Sequence, residues 1–204
     1  MLKTEIANLA LGRLGVSLAI ADLDTDISIQ TKVIKRHFRV SLETFLIKHD
    51  WSFARKEAAL ALLSTDNVRR QYTYEMPADA LIIRQLAEDG MFVDLNLYQD
   101  QIIPWHELLT TTGTHLITPL PLAYAQYTAN LDIDVNFPTH FARGLAAQIA
   151  WDIAPSLITN NFGKVADTLD AKCRIDMTSA IADDIARQPL IQDSPGPFLR
   201  ARSY

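Results

Sequence analysis

Cysteine is almost missing from this chain of 204 residues, where Cys173 stands alone. A single thiol excludes an intrachain disulfide framework and any CxxC metal or redox motif. Glycine is scarce too, at seven residues. The closest pair, Gly12 and Gly15, fits neither a Walker loop nor a dinucleotide fingerprint. No stretch approaches the roughly 18 uninterrupted apolar residues of a spanning helix. Positive charge is not in excess: the formal net charge is −5, whereas a dedicated DNA-binding domain is ordinarily basic.

What remains is an ordinary globular composition, 49% hydrophobic and 21% charged. That is enough apolar material for one sizeable domain without staples. Lys3, Arg13 and the apolar run 14–21, ending Ala19-Ile20-Ala21, imitate a secretory signal. Gly15 and Ser17 interrupt the run, and a helical segment precedes it, so the expectation is a chain made in a cytoplasm. Charge divides unevenly along the chain. Residues 1–57 carry net +2, residues 58–137 net −7 and residues 138–204 net 0, so the acid excess sits in the middle.

Helical periodicity marks the first third. Ile6, Leu9 and Ala10 share a face of a helix expected over 4–14, with Gly15 placed to end it. Asp22, Asp24 and Asp26 offer capping oxygens to a second helix over 27–49. That helix carries two apolar stripes, Ile34, Phe38, Leu42 and Phe45 on one face and Val33, Val40 and Ile47 on another. Between them lies a cationic strip, Lys32, Lys35, Arg36 and Arg39. Trp51 and Phe53 follow the helix end and are expected to pack where helices meet the next region.

The middle third reads as short strands, over 71–75, 81–86, 91–93, 102–105, 116–117 and 123–128, separated by turn signals such as Pro77-Ala78-Asp79. Helix returns at Pro138, with Phe141, Leu145, Ile149 and Ile153 on one face until Pro155. A last helix carries Phe162, Val165, Leu169, Cys173 and Ala180 and ends before Pro189. Residues 189–204 form a proline-rich tail too short for its own core. The expected fold class is mainly α with a β-rich insert, an α+β chain. Residues 1–57 and 138–188 make a helical bundle, 58–137 a short-stranded antiparallel insert, and 189–204 an extended C-terminal tail.

Catalytic chemistry is hard to find. Asp132-x-Asp134-x-Asn136 copies the opening of a calcium loop, but Phe137 replaces its glycine and Arg143 its closing glutamate. His37, His49, His106, His115 and His140 never pair at the spacing of a zinc helix. Ser17 lacks the second glycine of a nucleophile elbow. The acidic neighbours Glu88-Asp89 and Asp183-Asp184 read as solvated surface, and Cys173 as core packing. No catalytic residue, metal ligand or cofactor site is expected. Interaction features are stronger: the second helix has a spare apolar stripe, and the tail ends in Phe198, Arg200, Arg202 and Tyr204, residue types favoured as interface anchors. Two rival readings survive on residues alone. One is a cell-wall hydrolase carried in a virus particle, using an acidic pair; the other is a cytoplasmic helical scaffold binding nucleic acid through the Lys32 to Arg39 strip.

Five segments, taken in order, resemble the phage head-to-tail adaptors called tail tubular protein A. The first is Asn8-Leu9-Ala10-Leu11-Gly12-Arg13-Leu14-Gly15. The second is His49-Asp50-Trp51-Ser52-Phe53-Ala54-Arg55-Lys56, continuing into Ala58-Ala59-Leu60-Ala61. Tyr74-Glu75-Met76-Pro77-Ala78-Asp79-Ala80-Leu81 is the third. Tyr127-Thr128-Ala129 followed by Phe137-Pro138 is the fourth, and Leu145-Ala146-Ala147 through Ile153-Ala154-Pro155 the fifth. Their order and spacing span about three quarters of the chain and outweigh any one of them, since short Ala-Leu-Gly strings recur by chance. Asp50 stands where the family often has proline, and the tail end matches only in character.

The resemblance implies a structural protein of the virion neck, assembled in the host cytoplasm without membrane, cofactor or metal. It implies a ring of twelve copies beneath the portal protein that extends the DNA channel, lies near packaged DNA and offers a platform to a tail nozzle or tail tube. The tail residues Phe198, Arg200, Arg202 and Tyr204 would dock on the portal. The strip Lys32, Lys35, Arg36 and Arg39 would meet a neighbouring copy or the portal, leaving the acid-rich middle segment for the channel wall.

Overall fold

The computed structural model describes residues 1–17, 19–66, 68–92, 102–158 and 162–187. Eleven elements follow in order: α1 (Lys3–Arg13), α2 (Ile29–Ile47), β1 (Arg55–Ala59), β2 (Leu62–Asp66), β3 (Gln71–Glu75), β4 (Ala80–Ala87), β5 (His106–Thr110), β6 (Gly113–Thr118), β7 (Tyr124–Ala129), α3 (Thr139–Leu157) and α4 (Phe162–Arg187). Among the described residues, seven strands form two antiparallel sheets, ordered β1-β7-β4 and β2-β3-β6-β5.

This corrects the mainly α class. The chain is a mixed α+β fold whose four helices flank a two-sheet region with a core of its own. Tyr74 and Leu116 from one sheet meet Ile83, Leu86, Ala125 and Tyr127 from the other. Three stretches of chain belong to both sheets, one of them residues 71–87, which pass from β3 to β4. Residues 55–66 pass from β1 to β2 through Leu60, whose N–H donates to the Ala123 carbonyl at 2.9 Å. Residues 113–129 pass from β6 to β7 through Leu120, whose carbonyl accepts the Tyr74 hydroxyl at 2.9 Å. Strands that change sheets close the corners of a packed pair of sheets. The β region therefore has its own core beside the helical one, which a mainly helical bundle would not have.

Local detail differs from expectation in five places. Residues 55–66 are strands although Arg-Lys-Glu-Ala-Ala and its neighbours favour helix, because β1 pairs with β7 from Arg55↔Thr128 to Ala59↔Tyr124, and pairing partners override propensity. His106–Thr110 forms the strand that 102–105 was expected to form, since Pro104 has no N–H for a ladder. Of the strand expected over 91–93, Met91 and Phe92 lie in irregular chain and residue 93 falls outside the described residues. Pro155 sits inside the last turn of α3, which runs on to Leu157. The cap of α2 is Ser28, whose side chain accepts from the Thr31 N–H at 3.3 Å. Asp26 instead accepts from the Ser28 N–H at 2.7 Å, which holds its carboxyl below the usual range.

The helical core centres on α3, which is buried on nearly all sides. Ile6, Leu11, Ile34, Phe38, Leu42, Phe45, Phe141, Leu145 and Ile149 lie within one cluster with it. Gly144 lets the helices approach: an added Cβ would sit 2.5 Å from Phe45 Cζ and 2.9 Å from Ala180 Cβ. Behind α3, Ala147 and Ala154 meet Leu169 and Cys173 of α4, and burial pushes the Cys173 thiol up to about 11.

Candidate functional site

The segment 48–55 is where α2, α3, α4 and the β1-β7-β4 sheet meet, and its geometry begins with an aromatic anchor. Trp51 is fully buried. Its ring lies 5.0 Å from Phe45 and edge-on at 4.9 Å to Phe141, with Phe53 at 6.1 Å. Its indole N–H donates to the Phe45 carbonyl at 3.1 Å, so the polar end is satisfied as burial requires. Phe53 is half-buried against the same cluster.

Two charged residues lock this turn. Arg84, on β4, donates from one guanidinium nitrogen to the carbonyls of Leu46, Ile47 and His49 at 3.1, 3.0 and 2.8 Å, and from Nε to Thr128 Oγ1 at 2.9 Å. The carbonyls at a helix C-terminus lack intrahelical partners and carry the negative end of the dipole, so a cation there answers both deficits. Burial pushes the Arg84 guanidinium below its ordinary value, against the opposing charge of Asp50. Arg84 thus ties the sheet to the end of α2.

From the opposite side, Asp184 of α4 accepts from the Ser52 N–H at 3.1 Å and the Ser52 hydroxyl at 2.8 Å. His49 Nε2 lies 3.2 Å from one carboxylate oxygen and His140 Nε2 3.4 Å from the other. Asp184 is fully buried while Asp183 is exposed, which corrects the reading of this acidic pair as solvated surface. A sequence signal existed: Asp184 continues the 4-7-4 spacing of the buried stripe Leu169, Cys173, Ala180. Arg84 carried no comparable signal, being one cation in an alternating strand.

Ser52, His49 and Asp184 are the residue types of a nucleophilic triad in the wrong order. A triad needs histidine between serine and acid so that its ring can take the hydroxyl proton. Here the serine donates directly to the carboxylate, and the histidine touches the carboxylate from another side. The cluster fastens α4 to the turn; it does not activate a nucleophile. Among the described residues no group of three or more His, Cys, Asp or Glu is placed to hold a metal ion. Asp134, from the calcium-like motif, instead pairs with Lys3, as does Asp24 at 2.6 Å, and the two carboxylates, Asp134 first, push the Lys3 ammonium above its ordinary range.

The cationic strip of α2 lies on the surface. Lys32, Lys35, Arg36 and Arg39 are all exposed. Lys35 Nζ donates to the Asp24 carbonyl at 2.7 Å, and Arg39 Nε reaches Glu43 at 2.6 Å. The second apolar stripe runs beside them, with Val40 62% and Ile47 41% exposed. Phe198, Arg200, Arg202 and Tyr204 lie outside the described residues.

A second lock joins β1, β4 and β7. Asp79 accepts from Lys56 Nζ at 2.6 Å and from the Tyr127 hydroxyl at 2.9 Å. The Lys56 contact, then the Tyr127 one, holds the Asp79 carboxyl below its usual range, while burial and the neighbouring carboxylate push the Tyr127 phenol up to about 12. A depressed carboxyl contributes stability that is complete above its unfolded value of about 4 and is lost as pH falls through the folded value. Asp79→Asn is therefore expected to lower the melting temperature at neutral pH, and the gap to the native chain to narrow as the pH falls below that of an ordinary carboxyl. Melting curves across pH check this.

No protein-family model matches the chain, and a search of curated proteins finds no match either. No helix among the described residues is long and apolar enough to cross a membrane.

Proposed function

We propose that this chain is a structural head-to-tail adaptor of a tailed bacteriophage, a subunit of a twelve-membered ring held beneath the portal. The ring extends the DNA channel and carries the tail nozzle or tube. The observation that supports this reading is the ordered run of five adaptor-like segments. The second of them, 49–56, is the turn that Trp51, Arg84 and Asp184 hold between helices and sheets. Residues matched at such a joint serve shape, and an adaptor works by shape and surface.

Assignment of surfaces follows from charge. DNA must slide through the bore, and a strongly cationic wall would trap phosphates. The acid excess of residues 58–137 suits a neutral or acidic wall. The exposed strip Lys32, Lys35, Arg36 and Arg39 then faces carboxylates of a neighbouring copy or of the portal. Reversal of Lys35 and Arg36 to glutamate is expected to impair assembly while the free chain stays folded, because neither side chain enters the core, with a small drop in melting temperature from the lost Lys35 contact to the Asp24 carbonyl.

The tail adds a second contact, with Phe198 and Tyr204 supplying aromatic area and Arg200 and Arg202 pairing with portal carboxylates. One modest contact repeated around a closed ring gives nearly irreversible attachment. Deletion of residues 190–204 is expected to weaken co-sedimentation with portal rings. Co-sedimentation of the full chain with cognate portal rings tests the function itself. The reading predicts a dilute chain that sediments as a monomer and moves to the portal fraction on mixing; a chain that stays unbound contradicts it.

A further inference from the structure

The four-stranded sheet β2-β3-β6-β5 ends on both sides in strands that have no outer partner among the described residues. All of β2 and nearly all of β5 are exposed. Each edge carries leucines in water: Leu62 and Leu63 at 50% and 47% exposed, Leu108 and Leu109 at 46% and 82%. Exposed apolar edges are sites where a sheet recruits another strand.

Strand direction identifies which strand fits. Four antiparallel strands alternate, so β2 and β5 run in opposite directions. A second copy, placed in the same orientation, therefore brings its β5 antiparallel to β2, and the alternation continues without a break. Side-chain faces agree as well. Thr65 pairs with Tyr72, two residues from Tyr74; Tyr74 pairs with Leu116, and Leu116 with Glu107. Thr65 and Glu107 thus stand on the same face of the sheet, and placing them opposite each other aligns Leu63 with Leu109 and Asp66 with His106. Leu63 lies two residues from Thr65 and so returns to its face by strand alternation, within the stretch where the β2 register shifts between Leu62 and Ser64. At that end of β2, Asp66 faces His106 across the contact, and Asp66 also lies 4.0 Å from Arg69 of its own chain.

We infer that β2 and β5 are the two halves of a head-to-tail contact between copies of this chain, in the register Leu63 to Leu109. A contact between two different surfaces repeats, and it closes into a ring when the rotation per copy permits. The closed ring rests on the adaptor reading; the strand pairing does not. Opposed residues of an antiparallel pair have Cβ atoms about 4.5–5.5 Å apart, close to the span of a disulfide. The native Cys173 does not compete, being buried with its thiol pushed up to about 11.

The test uses chains carrying Leu63→Cys or Leu109→Cys, reduced and then oxidised either alone or as an equal mixture at about 1 mM, where mass action favours weak contacts. Both sites are exposed, and melting curves verify that each variant folds. The expected result is a covalent dimer in the mixture at about tenfold the level of either variant alone, one decade of preference in equilibrium constant. The double variant then gives a ladder of multimers. Equal dimer from a single variant, which would mean a two-fold contact, or no dimer in the mixture, overturns the pairing. A chain that binds portal rings but yields no mixed dimer refutes the edge contact alone. A ladder from a chain that ignores portal rings refutes the adaptor reading alone.

Discussion

Trp51→Ala is expected to destabilise the protein by about 3–5 kcal/mol, the range for truncating a large buried aromatic. Three effects add. The ring is wholly removed from water, so its transfer free energy is lost. Its neighbours Phe45, Phe53 and Phe141 belong to α2, the turn and α3, and such separately anchored groups collapse poorly into a cavity. The Phe45 carbonyl also loses the indole donor, near the helix end where carbonyls are already short of partners. Since a typical domain is stable by only about 5–15 kcal/mol, the variant is expected to melt far below the native chain. An unchanged melting temperature would show that the residue does not hold the joint.

Gly144→Val is the second large loss expected, and the comparison with Gly144→Ala makes it informative. Alanine in a helix interior is favoured over glycine by about 1 kcal/mol. Against that, the new Cβ meets Phe45 Cζ at 2.5 Å and Ala180 Cβ at 2.9 Å, and overpacking costs about 1–3 kcal/mol. Phe45 is itself fully buried against Trp51 and Phe141, and Ala180 is almost fully buried, so neither yields cheaply. Alanine should therefore be neutral to moderately destabilising. Valine adds two further methyl groups against the same wall and should reach or exceed the upper end of that range, about 3 kcal/mol. A Gly144→Ala chain that melts above the native one would show that α3 is free to move outward.

The helices were legible because their signal is local. Ile34, Phe38, Leu42 and Phe45 repeat at helical spacing, and all four are buried. The strands of the two-sheet region were only partly legible, because their signal is non-local. Nothing within Arg55–Ala59 announces a strand; its order comes from its neighbour β7, which lies at the far end of the β segment in sequence. The same limit produced the wrong fold class. A sequence shows short alternating runs, but not that β1 and β2 are one stretch of chain serving two sheets with a shared core.

At the joint, Trp51 was legible from its size and its place after a helix end. Asp184 was hidden by chemistry: an aspartate beside another aspartate reads as surface, and only its spacing from Cys173 and Ala180 betrays the buried face. Arg84 was hidden by distance, since three of its partners are carbonyls at and just past the end of α2, and backbone acceptors have no sequence signature. Charge on the exposed strip of α2 was legible in full, because surface cations need no partner to be read.

Electron microscopy of the full chain mixed with a cognate portal ring tests the central claim most directly. The account predicts a layer of twelve copies beneath the portal, with Lys32, Lys35, Arg36 and Arg39 turned toward a neighbouring copy or the portal and a neutral or acidic bore. A portal ring that emerges bare, or a layer with those four cations lining the channel, would contradict it.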